Sequence, residues 1–305
     1  MKICRFLSPD QGARLGAIVE GAVLDLSAAD STHFGSLTAF LEWSAGRADS
    51  LAAALQPFVV RAPWVASWDE LRCGQSAGGL RLLRPTDDQE IWGAGVTYHR
   101  SREAREQESG ASRLYDRVYQ AERPELFFKA TPHRTVGPGE AICVRGDSRW
   151  TVPEPELAVV LNPSLEVVGF TLANDVTARD VEGENALYLP QAKIFVGCCA
   201  VGPAITLVNG PASTESVTIR CRVVRKGSIV FSGQVSVSRM KRSLAELIAY
   251  LGRDNAFPQG VVLMTGTGIV PPDNLALADG DMVEIVADGL GTLVNPVRQL
   301  QRAPG

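Results

Sequence analysis

Histidine is scarce in this sequence, and its few cysteines are scattered. The three histidines stand far apart and in no ligand spacing, which disfavours a zinc site built on imidazole. The six cysteines form no CxxC pair and no framework spacing, so we expect neither structural disulfides nor a zinc cluster. Cys198 and Cys199 are adjacent, and we interpret them as small residues packed near a core strand rather than as a redox pair.

Long apolar runs and blocks of one charge are also missing. No run approaches the roughly 20 residues that span a bilayer, and Arg5, Asp10 and Arg14 interrupt the segment where a signal peptide would be apolar. Thirty basic residues against 34 acidic ones give a formal net charge of -4, which argues against a protein that neutralises nucleic-acid phosphates. We therefore expect a soluble cytoplasmic protein that binds neither membranes nor nucleic acids.

The sequence divides into two parts of different texture. In residues 1–84, short apolar segments separated by Gly, Asp and Ser predict a small β-rich domain. Two short helices are expected in it, from Ser36 to Trp43 and from Ser50 to Leu55, each preceded by a capping serine. Residues 85–305 form the second predicted domain, in which Ser243 and Glu246 make the S-x-x-E capping box of one clear helix.

Turn residues separate many short apolar segments in the second domain. They predict ten strands, at residues 126–130, 141–145, 157–161, 167–172, 200–207, 217–224, 228–237, 261–265, 281–286 and 291–297. This spacing is typical of an all-β barrel or of paired sheets. We therefore predict a mainly β protein with some α-helix.

Residues 101–122 are dense in charged side chains at helix-compatible spacing, and Ser109-Gly110 interrupts them. A polar helical segment of this kind packs poorly against a core. Two interpretations stay open: a mobile lid over a site, or a pair of solvated helices.

The sharpest chemical signal is Glu154-Pro155-Glu156, which runs into an apolar strand. Side chains two apart on a strand share a face, so both carboxylates project together and repel unless a cation lies between them. Asp175, at the end of a second strand, offers a third carboxylate. Such oxygen ligands, without Cys or His, favour Mg²⁺, Mn²⁺ or Ca²⁺ over zinc. The alternative is an exposed strand end with solvated acids.

Two further features add context to this acidic motif. Lys193 lies in an apolar segment that a strand would bury, and a buried lysine needs a partner or becomes a base. Thr265-Gly266-Thr267-Gly268 follows an apolar strand and places hydroxyl and backbone N–H groups at its end. This turn either cradles a carboxylate or is an ordinary tight turn.

Six motifs, taken in order, resemble the fumarylacetoacetate hydrolase superfamily over about residues 90 to 298. They are Leu126–Lys129, Val136–Gly139, Glu154–Leu157, Asn174–Asp180, Gln191–Lys193 with Gly202-Pro203, and Thr265–Gly268. The resemblance implies a mixed β-roll behind a small N-terminal α+β domain. It also implies that Glu154, Glu156 and Asp175 bind Mg²⁺, with Mn²⁺ or Ca²⁺ as substitutes.

Longer strings resemble one branch of that superfamily, the 2-keto-3-deoxy-pentonate dehydratases. They include Gly95–Tyr98, Glu122–Pro132, Gly183–Asn185 and Tyr188–Lys193. The branch implies a carbon–oxygen lyase that converts a 2-keto-3-deoxy-pentonate, derived from xylonate or arabinonate, into 2,5-dioxopentanoate (α-ketoglutarate semialdehyde) in oxidative pentose catabolism. We expect a homodimer or a homotetramer.

Under this resemblance, Lys193 is a general base or an enolate stabiliser, and Thr267 holds the carboxylate of a 2-keto acid substrate. Ser101 and Gly95 are further candidates for contacting that substrate. The candidates for the later proton transfers are Glu125, Glu103 and Glu106.

Two alternatives to the dehydratase stay open. Hydrolase members of the superfamily commonly carry N-Y-x-x-H-x-x-E, whose His and Glu positions are Ser101 and Ala104 here. That difference disfavours a C–C hydrolase of the acylpyruvate or fumarylacetoacetate type without excluding it. The second alternative is a non-catalytic, metal-stabilised scaffold.

Overall fold

The computed structural model describes residues 1–47, 50–99, 114–209, 214 and 216–301. Strands dominate this part of the chain. Those of the N-terminal third are Lys2–Ser8, Gly12–Val19, Ala22–Asp25, Trp64–Ser67, Arg81–Leu83 and Glu90–Gly95. The later ones are Glu125–Ala130, Thr135–Val136, Ile142–Val144, Thr151–Val152, Pro155–Leu161, Val167–Asp175, Thr177–Ala178, Cys199–Leu207, Thr218–Arg225, Ser228–Ser236, Val261–Met264, Met282–Ala287 and Gly291–Gln299.

Helices in the described residues are short and lie around the sheets. They are Leu26–Ala29, Ser31–Phe34, Leu37–Ser44, Leu51–Val59, Trp68–Arg72, Leu114–Gln120, Arg179–Glu184, Leu189–Lys193 and Leu244–Leu251, with 3₁₀ turns at Ala77–Gly79, Pro132–Arg134, Ala186–Tyr188 and Val237–Arg239. None of these described helices combines the length and the apolar content that crossing a membrane requires.

One large sheet of 12 strands forms the body of the fold. Its centre is the strand Pro155–Leu161, which is buried along its whole length between Val167–Asp175 and Val261–Met264. Most neighbours are antiparallel, whereas Val261–Met264 pairs in parallel with Glu90–Gly95. A five-stranded sheet and a two-stranded ribbon complete the architecture. The prediction of a mainly β fold with mixed sheets is confirmed.

The large sheet continues across the predicted boundary at residue 84. The first strand, Lys2–Ser8, pairs with Cys199–Leu207, with Lys2 opposite Thr206. The N-terminal strands Lys2–Ser8, Gly12–Val19 and Ala22–Asp25 form an antiparallel meander on one side of that contact. The division into domains 1–84 and 85–305 stays a prediction.

All ten strands expected in the second part are present, with ends shifted by at most a few residues. The serine half of the expected capping box is present, since Ser243 Oγ accepts a hydrogen bond from the Glu246 N–H at 3.1 Å, while the Glu246 carboxylate pairs with Arg242. Ser36 caps the helix Leu37–Ser44 in the same way, but Ser50 makes no side-chain cap for Leu51–Val59. The strand expected around Lys193 is wrong, because Leu189–Lys193 forms a short helix with a proline in its first turn.

Candidate active site

Antiparallel pairing of two buried strands brings the three predicted metal ligands together. Glu154 and Glu156 lie at the start of Pro155–Leu161, and Asp175 ends Val167–Asp175. The register places Pro155 opposite Asn174, and the Asp175 N–H donates to the Glu154 carbonyl at 2.9 Å. One carboxylate oxygen from each acid lies within 4.8 Å of the others. All three side chains are almost fully buried, so the exposed strand end considered as an alternative is wrong.

Lys193 reaches this carboxylate cluster from the end of its short helix. Its Nζ donates to Glu154 Oε2 at 2.7 Å, to Asp175 Oδ2 at 2.8 Å and to Thr177 Oγ1 at 2.8 Å. The residue is only 3% exposed. The buried lysine therefore has the partners that its burial demands.

Two more basic residues pair with carboxylates of the cluster. Lys129 is completely buried, and its Nζ lies 2.5 Å from Asp175 Oδ1. Burial is the largest single effect and lowers the pKa of Lys129, but the charge of Asp175, together with smaller contributions from Cys198 and Cys199, raises that pKa on balance. Arg179 contributes its Nη2 to Glu154 Oε1 at 3.0 Å. Among the described residues, Glu154 thus pairs with Lys193 and Arg179, and Asp175 pairs with Lys193 and Lys129.

Glu156 differs from the other two acids. In the part of the chain that the structure describes, no basic side chain pairs with it, and its Oε2 accepts the Gly266 N–H at 2.6 Å. Burial, followed by the nearby charges of Asp175 and Glu154, raises its pKa well above the ordinary value. A divalent cation among the three carboxylates would relieve this repulsion. The donor set, all carboxylate oxygen, therefore fits Mg²⁺.

The Thr265–Gly268 turn faces the same cluster. Gly266 has φ +93°, and a Cβ there would lie 2.0 Å from Thr97 Oγ1, so only glycine places its N–H against Glu156. The hydroxyl of Thr267 is bonded to Ile269, and the residue lines a cavity in front of the carboxylates. Thr267 is thus positioned to contact a molecule in that cavity.

The cavity is small, about 120 Å³. Its polar lining includes the three acids, Lys193, Gly266 and Thr267, and its apolar lining includes Val96, Val118, Ala186 and Leu189. Gly95 and Glu125 face each other across paired strands and line it too. A Cβ on Gly95 would lie 2.2 Å from Glu125 Oε2, so this glycine provides the space that the Glu125 carboxylate occupies.

The structure therefore gathers seven of the predicted site residues around one cavity. They are Gly95, Glu125, Glu154, Glu156, Asp175, Lys193 and Thr267. Ser101, Glu103 and Glu106, like most of the predicted lid, lie outside the described residues. The last part of that predicted lid is described and forms the helix Leu114–Gln120. The roles assigned to all these residues stay predictions.

Three charged residues of the site were missed from the sequence. Lys129 lies in an apolar strand. A lysine in an apolar segment was the signal that pointed to Lys193, so the same reasoning could have predicted Lys129. Arg179 and Glu182 lie on the helix Arg179–Glu184, which the sequence did not predict. Glu182 is 5% exposed and lines the cavity, where it adds a carboxylate far along the chain from Glu125.

Comparison with known proteins places this site in a family. The profile Fumarylacetoacetate (FAA) hydrolase C-terminal matches residues 90–298. The chain belongs to the fumarylacetoacetate hydrolase family. The family predicted from the sequence motifs is thereby confirmed, and the carboxylates, Lys193 and Thr267 all lie within the matched range.

Two relatives in this family are dehydratases by name. The 2-dehydro-3-deoxy-D-arabinonate dehydratase of Saccharolobus solfataricus is 48% identical over 227 residues, covering 73% of this chain and 76% of the relative. The probable 2-keto-3-deoxyxylonate dehydratase of Haloferax volcanii is 48% identical over 213 residues, covering 70% and 73%.

A solved structure extends the similarity to almost the entire fold. A 2-keto-3-deoxy-D-arabinonate dehydratase complexed with magnesium and 2,5-dioxopentanoate is 37% identical, with a TM-score of 0.83 over 99% of this chain and 100% of that one. A hexagonal crystal form of 2-keto-3-deoxyarabinonate dehydratase is 39% identical, with a TM-score of 0.86 and the same coverage.

Proposed function

We propose that this protein is a magnesium-dependent dehydratase that converts a 2-keto-3-deoxy-pentonate into 2,5-dioxopentanoate and water. The observation that carries the proposal is the buried cluster of Glu154, Glu156 and Asp175, which opens with Lys193 onto one small cavity. The dehydratases at 48% identity, and the related structure that holds magnesium and 2,5-dioxopentanoate, support the same reaction.

Glu154, Glu156 and Asp175 would hold the cation, with Mn²⁺ or Ca²⁺ as substitutes for Mg²⁺. A cation bound there supplies Lewis-acid polarisation of a 2-keto acid, which makes the neighbouring C3 proton easier to remove. Thr267, at the polar wall of the cavity, would bind the substrate carboxylate. The apolar wall would face the carbon chain and exclude bulk water.

Lys193 is our candidate for handling the C3 proton. Its Nζ lies among the carboxylates and Thr177 at distances of 2.7–2.8 Å and faces the cavity. In that position it acts either as the general base that takes the proton or as a donor that stabilises the enolate. Lys129 is bonded to the same cluster but does not line the cavity, so we assign it a structural role.

The remaining proton transfers need other acidic groups that line the cavity. The C3 proton and the C4 hydroxyl leave together as water, so an acid must protonate that hydroxyl. Loss of protons from C5 and its hydroxyl, with protons gained at C3 and C4, then gives the aldehyde. Glu125 and Glu182 both line the cavity and are our candidates for these steps, together with the sequence candidates Glu103 and Glu106.

The proposal is tested by stripping the protein of divalent metal and measuring turnover of a 2-keto-3-deoxy-pentonate before and after Mg²⁺ is restored. We expect no turnover without metal and recovery with Mg²⁺ or Mn²⁺. A metal-free sample with full activity would exclude the metal dependence. Metal-dependent thermal shifts with a range of 2-keto acids, but turnover of none of them, would instead support the scaffold alternative.

The oligomeric state and the cellular location of the protein stay predictions. We propose a homodimer or homotetramer in the cytoplasm, taking up a small-molecule 2-keto acid. Sedimentation of the purified chain checks the first expectation, and fractionation of cells that produce it checks the second.

A further inference from the structure

Residues 240–242 join two chain segments that both line the cavity. Met240 makes an antiparallel bridge with Tyr98, and the Lys241 N–H donates to the Thr97 carbonyl at 2.9 Å. Val96, next to that contact, lines the cavity. Lys241 and Arg242 also contact the helix Leu114–Gln120 and the residues that follow it, and Val118 of that helix lines the cavity.

The main contact to that helix is the guanidinium of Arg242. Nη2 donates to the Ala121 carbonyl at 2.5 Å and to the Val118 carbonyl at 3.3 Å, and Nη1 donates to the Glu122 carbonyl at 3.1 Å. The last carbonyls of a helix have no partner within the helix, and a cation there also complements the helix dipole. The planar guanidinium of Arg242 therefore donates hydrogen bonds to three backbone carbonyls at the end of this helix.

Further contacts hold Arg242 in this position. Nη1 also pairs with Glu246 Oε1 at 2.5 Å, one turn along the neighbouring helix, and the residue is only 8% exposed. Lys241 adds a hydrogen bond to the Tyr119 carbonyl and lies 4.1 Å above the centre of the Tyr119 ring. The stretch 118–122 is thus tied to a fixed part of the fold by a residue outside the cavity.

We propose that Arg242 is a positioning residue that fixes Val118 against the substrate. The inference rests on the proposed function, because it concerns the wall that faces the carbon chain of the same substrate. Arg242 acts through the backbone of residues 118–122. Lysine is a poor substitute, because a single ammonium group cannot reproduce the planar arrangement of N–H donors with which the guanidinium bonds three carbonyls.

The test compares Arg242→Gln and Arg242→Lys with the matched control Arg239→Gln, a change at an exposed arginine three residues upstream. We expect Arg242→Gln to raise KM for the pentonate by at least about tenfold, since small displacements of positioning groups are costly. The fall in kcat should be smaller, because the carboxylates and Lys193 lie on other elements. The KM of Arg242→Lys should lie between the values for Arg239→Gln and Arg242→Gln. Millimolar guanidinium should lower the raised KM of Arg242→Gln.

Amide hydrogen exchange over residues 118–122 is measured on the same samples. Faster exchange together with the raised KM supports the positioning role. Faster exchange or a lower melting temperature with unchanged kinetics would reduce Arg242 to a structural residue and overturn the proposal. So would kinetics equal to those of Arg239→Gln. If the wild-type protein does not turn over the pentonate, the proposed function fails, which is a separate and recognisable outcome.

Discussion

The Nζ atom of Lys193 donates a hydrogen bond to Oε2 of Glu154 across 2.7 Å, where both side chains are almost fully buried. Lys129 pairs with the same cluster at Asp175 Oδ1. The two lysines therefore share a set of carboxylates but differ in access to the cavity, which only Lys193 lines. On the basis of this difference, we assign a catalytic role to Lys193 and a structural role to Lys129.

Lys193→Met should reduce kcat by about two to four orders of magnitude, because it removes the group that handles the C3 proton. The methionine keeps most of the side-chain volume, so circular dichroism and Mg²⁺ binding should stay close to wild type. A variant with near-normal kcat would exclude the catalytic role of Lys193.

Lys129→Met is the companion experiment. It leaves one side of the buried Asp175 carboxylate unpaired, and we expect the free energy of unfolding to fall by about 3–5 kcal/mol. Denaturant unfolding in the presence of excess Mg²⁺ measures this loss. Unchanged stability would contradict the structural role assigned to Lys129.

Binding of Mg²⁺ should release protons and strengthen as the pH rises. The pKa of Glu156 is raised by burial and by Asp175 and Glu154, so the metal-free site keeps a proton to a higher pH than an ordinary carboxyl group does, and the cation must displace that proton. Titration calorimetry in buffers of different ionisation enthalpy counts the protons released. An affinity that does not change from pH 5 to pH 8 would contradict this assignment.

The same raised pKa predicts how stability depends on pH without metal. A group whose pKa is higher in the folded state stabilises the fold below its unfolded pKa, and this contribution is lost as the pH rises through the folded value. The metal-free protein should therefore lose stability as the pH rises above the ordinary carboxyl range. Glu156→Gln, which cannot ionise, should weaken that dependence and also abolish tight Mg²⁺ binding.

Gly95→Ala should impair activity without unfolding the protein. The added methyl would meet Glu125 Oε2 at 2.2 Å, and a carboxylate at the end of a flexible side chain can move away. We expect kcat to fall to the level of Glu125→Gln and the double variant to be no worse than either single one. Additive losses in the double variant would show that Gly95 acts separately from Glu125.

Most of the strand pattern and the metal-site cluster could be predicted from sequence. Glu154, Glu156 and Asp175 lie at strand ends, and alternation along a strand dictates which side chains share a face. Lys193 was assigned to the right cluster but to the wrong element, because an apolar segment of seven residues does not distinguish a strand from a helix. Arg242 gave no signal of its role in the sequence, since the carbonyls that it bonds lie 120 to 124 residues away along the chain.

Product identification tests the central claim most directly. The protein with Mg²⁺ is incubated separately with 2-keto-3-deoxy-arabinonate, 2-keto-3-deoxy-xylonate and an acylpyruvate, and the products are identified by nuclear magnetic resonance. We predict 2,5-dioxopentanoate from at least one of the sugar acids and no cleavage of the acylpyruvate. Pyruvate released from the acylpyruvate, with no 2,5-dioxopentanoate from either sugar acid, would contradict the dehydratase and establish the C–C hydrolase in its place.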